Sequence, residues 1–84
     1  MSKDEVQALF SERLKGWMNA TGHNISSLSR ALQTKRQGVA RWVNGGMPDF
    51  YNLRLLAMYS GVSVDWWLGL DTEYVDWVAD RWQA

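Results

Sequence analysis

Four side chains within seven positions, Lys35, Arg36, Gln37 and Arg41, carry the most specific chemistry in this chain. An arginine can grip guanine O6 and N7 with both prongs, and a glutamine makes the equivalent pair of bonds to adenine N6 and N7. Arg36 and Gln37 therefore suit base edges. Arg41 reads as a base contact or a flanking one, and Lys35 as a phosphate contact. Upstream, Ser26 and Ser27 fall where a helix would begin, and backbone N–H groups at a helix start suit a phosphate. Gly38 sits inside a helical pattern, at a cost of roughly 1 kcal/mol relative to alanine. Either a close approach to DNA or close packing between helices accounts for it. Outside a DNA-reading context, the same residues describe an ordinary solvated helix start.

Competing chemistries lack their residues. There is no cysteine and a single histidine in the 84 residues, which removes disulfides, thiolate nucleophiles and the usual zinc sites. No nucleophile–base pair or phosphate loop is present, so no enzyme, cofactor or small-molecule substrate is expected. The acids Asp65, Asp71, Glu73, Asp76 and Asp80 have no metal-ligand spacing. No apolar run approaches a membrane span, and the N-terminus has no signal-like apolar core, so a cytoplasmic protein is expected. The net charge is zero, but it is divided: residues 1–46 sum to +4 and residues 47–84 to −4. Such polarity draws a polyanion to one end and keeps it off the other.

The elements that must hold these residues are helices. Ser2 with Glu5 forms a capping box, and Val6, Leu9, Phe10, Leu14 and Trp17 then recur at helical spacing to about Asn19. Asn24 caps a second helix ending at Leu32. Thr34 with Gln37 makes another box, which starts a third helix near Lys35 that Asn44-Gly45-Gly46 ends. Asp49 caps a fourth, with Leu53, Leu56, Ala57 and Phe50 inward, up to Gly61. Ser63 caps a short fifth, ending near Gly69. A last helix is expected over about 72–83. No stretch alternates with a period of two, so the chain reads as one all-α domain without linker or repeat.

From Arg13 to Leu70 the sequence resembles the Cro/CI-type helix-turn-helix repressors, the xenobiotic-response-element-like family. Leu28 and Leu32, Val39-Ala40-Arg41-Trp42, Asn44-Gly45, Pro48 with Asn52-Leu53, and Gly61-Val62-Ser63-Val64-Asp65-Trp66-Trp67-Leu68-Gly69 carry the resemblance. The run Gln37-Gly38-Val39 with Asn44-Gly45 looks most like lambdoid phage repressors. The resemblance implies a lambda-repressor-like five-helix DNA-binding domain with an additional C-terminal helix, and a motif over 24–45. It implies a recognition helix over about 35–43 in the major groove of an operator, and a homodimer on a two-fold site. Asn44, a C-cap by position, is implied to touch a phosphate as well. Three positions depart from the pattern. Gln33 stands where the turn usually has Gly, Ile25 where Gln opens the first motif helix, and Val43 where Glu precedes Asn-Gly. Beyond the shared region, Tyr74, Trp77, Val78 and Trp82 form an apolar stripe. It is expected to pair subunits, or else to fold back on helix one or five. The alternative function is a helix-turn-helix protein-interaction module, such as an antitoxin or phage accessory factor.

Overall fold

The computed structural model describes residues 1–70, which form five helices and no strand. Helix α1 runs over Lys3–Thr21 and opens with the expected capping box. Glu5 N–H donates to the Ser2 hydroxyl at 3.2 Å, and Ser2 N–H donates back to the Glu5 carboxylate at 3.3 Å. These bonds from Ser2 hold the Glu5 carboxyl below its ordinary range. Gly22, at φ 75°, stops the helix because a left-handed cap without a Cβ is unstrained.

Helix α2 (Ile25–Leu32) is capped by Asn24, with Ser27 completing the reciprocal bonds. Its exit is a left-handed residue, Gln33 (φ 53°, ψ 43°), a conformation that glycine would adopt without strain. Thr34 N–H reaches back to the Ser29 carbonyl at 3.0 Å. That bond spends Thr34 on closing α2 and overturns the expected capping box. Helix α3 (Arg36–Val43) starts one residue later than expected, from Lys35, with no side-chain cap. Helix α4 (Phe50–Ser60) is capped by Asp49, and α5 (Val64–Leu68) by Ser63.

Phe10, Leu14, Leu28, Val39, Leu56, Trp42 and Trp67 are fully buried and join all five helices in one core. Full burial of each such side chain contributes on the order of 1.5–3 kcal/mol. The indole N–H groups of Trp42 and Trp67 are buried without a hydrogen-bond partner, which costs about 1–3 kcal/mol each. Trp17 and Trp66 are only half-buried and close the core from outside. Phe50 is not inward: it is 87% exposed. As the first residue of α4 its side chain leans back past the helix start, where no element lies against it.

Helix α3 packs between α1 and α2, while α5 joins α1 to α4. Among the described residues no helix is long and apolar enough to cross a membrane. The expected C-terminal helix, with Tyr74, Trp77, Val78 and Trp82, lies outside the described residues.

Candidate nucleic-acid interface

Helix α3 is divided lengthwise. Val39 and Trp42 are buried on its inner side, while Arg36, Gln37, Arg41 and Asn44 are exposed. Steps of three and four residues bring Gln37, Arg41 and Asn44 onto one outward stripe, with Arg36 beside it at the helix start. Lys35 is exposed immediately before. The structure thus brings Lys35, Gln37, Gly38 and Arg41 round one open cleft, while Arg36 lies with Ser26 on another.

Sequence reasoning gave no hint of what steadies Arg36. Its Nε donates to the Ser26 hydroxyl at 2.9 Å, across the two helices of the motif. With Nε engaged, the two terminal nitrogens remain to donate as a fork, the shape that matches two acceptors on one base edge. Ser26 therefore lies beside Arg36 at the front of the site. Ser27 is committed differently, for its hydroxyl accepts from Asn24 N–H and meets His23 Nδ1, both at 2.9 Å.

The far end of α3 is tied down by a residue that no local pattern marks. Ser11, in the middle of α1 and buried, donates its hydroxyl to the Trp42 carbonyl and accepts from Gly45 N–H at 2.9 Å. One hydroxyl thereby fixes both the last turn of α3 and the loop that leaves it. Asn44 adds a side-chain bond to the Ala40 carbonyl at 2.8 Å, as a C-cap residue does. Gly46 is needed where it stands, since a Cβ there would come within 2.6 Å of Arg41 Cγ and 3.0 Å of the Arg41 carbonyl oxygen.

Gly38 is different. A Cβ would find only Trp42 Cζ2 at 3.8 Å and Thr34 Oγ1 at 4.0 Å, both ordinary contacts. Close packing between helices does not require glycine here.

His23, which reads as a plain loop histidine, forms a structural corner instead. Its ring stacks on Trp17 with centroids 5.4 Å apart, and its Nε2 meets the Tyr59 hydroxyl at 2.9 Å. Arg13 is likewise held within the fold, with its guanidinium 4.6 Å above the Trp66 ring and donating to the Trp66 carbonyl.

The electrostatics favour an anion. From Arg13 to Pro48 the sequence contains six Lys and Arg residues and no Asp or Glu. Among the described residues, no three His, Asp or Glu side chains come together as a metal site. Comparison of the chain with family models, with curated proteins and with solved structures finds no match.

Proposed function

We propose that this chain is a sequence-specific DNA-binding repressor in which α3 enters the major groove of an operator. The observation that carries the reading is the exposure of Arg36, Gln37 and Arg41 along a helix anchored by buried Val39 and Trp42. Base readout needs long bidentate side chains on a helix that does not rotate, and Ser26, Ser11 and the core supply that steadiness. Lys35, Ser26 and Asn44 surround the stripe as phosphate contacts. We further propose that α1–α5 are arranged as in the lambda-repressor-like domains.

A homodimer follows from the reach of one helix. Eight residues at 1.5 Å each extend about 12 Å and meet only a few base pairs. Two copies about 34 Å apart, one turn of duplex, supply the remaining affinity and a palindromic site. Repression then consists of occupying the promoter.

Fluorescence anisotropy with promoter duplex and random duplex over a range of salt tests the reading. If each subunit neutralises about three phosphates, the dimer's log–log slope is roughly −5. A slope near zero on the best duplex refutes DNA binding. The exposed Phe50 and Met58, 87% and 66% accessible, favour a second reading as a protein-interaction module. Weak and equal binding to both duplexes is the result that would select it.

A further inference from the structure

Helix α4 is apolar well beyond the part that it buries. Only Leu53 and Leu56 are buried, whereas Tyr51, Met58 and Tyr59 are 57%, 66% and 48% exposed. These three, with Leu55, form one wall of an open groove, and Ala31 and Leu32 at the end of α2 form the other. At the start of α4 the groove meets one acid, Asp49, whose carboxylate accepts from the lining residue Asn52. Neither α2 nor α4 contains an acid, and Arg30 and Arg54 are exposed on these two helices. An occupant that fits is a short segment, apolar along one side and acidic along the other.

This chain carries such a segment. Residues 71–84 contain Asp71, Glu73, Asp76 and Asp80 against the single cation Arg81. Tyr74, Val78 and Trp82 recur every fourth residue, with Val75 and Trp77 between them. We propose that the groove between α2 and α4 is the seat of residues 71–84 of the same chain. The lengths agree: 14 residues in helical form extend about 21 Å, against about 16 Å for the 11 residues of α4. Direct attachment after Leu70 gives the segment a high effective concentration at its own groove. The proposal does not depend on the DNA-binding reading.

The absence of cysteine from the sequence makes the test direct. Trp77→Cys is combined in the full chain with Met58→Cys or with Tyr51→Cys, and disulfide formation is followed under mild oxidation. Positions 51 and 58 are about 10 Å apart along α4, so either direction of the segment brings residue 77 near one of them. Two pairs serve as controls: Trp77→Cys with Val6→Cys on α1, and Trp77→Cys with exposed Lys15→Cys. Circular dichroism confirms that each variant keeps its helices, and the two groove positions guard against one that does not. The expected result is that one groove pair closes at least about tenfold faster than the Lys15 pair, as held groups do relative to freely colliding ones. The expected product is a monomer band, and a dimer band, which places the segment in a second copy's groove, overturns the proposal. Closure at Val6 instead, or equal rates for all pairs, overturns the proposal. No DNA enters this measurement, so its failure is distinct from failure of the repressor reading.

Discussion

Gly38→Ala separates stability from recognition at the start of α3. The position is the third residue of the helix, where glycine gives up backbone entropy that alanine does not. The added methyl would rest 3.8 Å from Trp42 Cζ2 and 4.0 Å from Thr34 Oγ1, so it brings no clash. Glycine in a helix interior costs roughly 0.8–1 kcal/mol relative to alanine, and a first-turn position retains part of that. We expect the variant to be more stable by about 0.5–1 kcal/mol, a rise in Tm of about 2–8 °C for a domain of this size. If glycine is present because a DNA backbone approaches it closely, operator affinity falls by about tenfold, or 1.4 kcal/mol. Thermal unfolding followed by circular dichroism reads the first quantity, and anisotropy titration with operator DNA the second. A destabilised variant would refute the packing argument. A stabilised variant with unchanged affinity would remove Gly38 from the DNA contact.

Arg36→Ala is expected to weaken operator binding by about 1–3 kcal/mol and to relax preference at one base position. Titration against single-base operator variants checks this, and unchanged preference everywhere removes Arg36 from readout. Ser11→Ala takes away the hydroxyl shared by the Trp42 carbonyl and Gly45 N–H, at a cost of about 1–3 kcal/mol. Urea unfolding measures it, and a loss below about 0.5 kcal/mol would show that the latch is dispensable. Gln33→Gly relieves a left-handed backbone at φ 53° and should stabilise by about 0.5–1 kcal/mol without changing operator affinity. A destabilised Gln33→Gly variant would mean that its side chain, not its backbone, matters at the turn.

Features governed by neighbouring residues were legible in the sequence. Ser2 with Glu5, Asn24, Asp49 and Ser63 all cap helices as their positions suggest, and Gly22, Gly61 and Gly69 all stop them. The exposed stripe of α3 followed from the same periodicity that buries Val39 and Trp42. What escaped depended on tertiary placement or on two motifs competing for one residue. Thr34 looked like a cap, but its N–H closes the preceding helix, so α3 begins from Lys35. Phe50 belongs to an apolar pattern, yet its place at the helix start leaves it outside the core. Ser11 meets Trp42 and Gly45 across more than thirty residues, and Ser26 meets Arg36 across ten. A small polar residue inside an otherwise apolar face of α1 is the one trace of Ser11's role in the sequence. His23 gave no such trace, because its partners Trp17 and Tyr59 lie on helices that only the fold brings together.

The unpartnered indole N–H groups of Trp42 and Trp67 make two built-in clocks. Neither proton is held by an acceptor, so its exchange with solvent is slowed only by enclosure and reports how often the surrounding structure parts. Indole protons resonate apart from most amides, and these two lie on different elements, Trp42 on α3 and Trp67 on α5. Equal exchange rates would mean that α3 and α5 open as one unit. A faster Trp42 would mean that α3 detaches while the remainder stays closed.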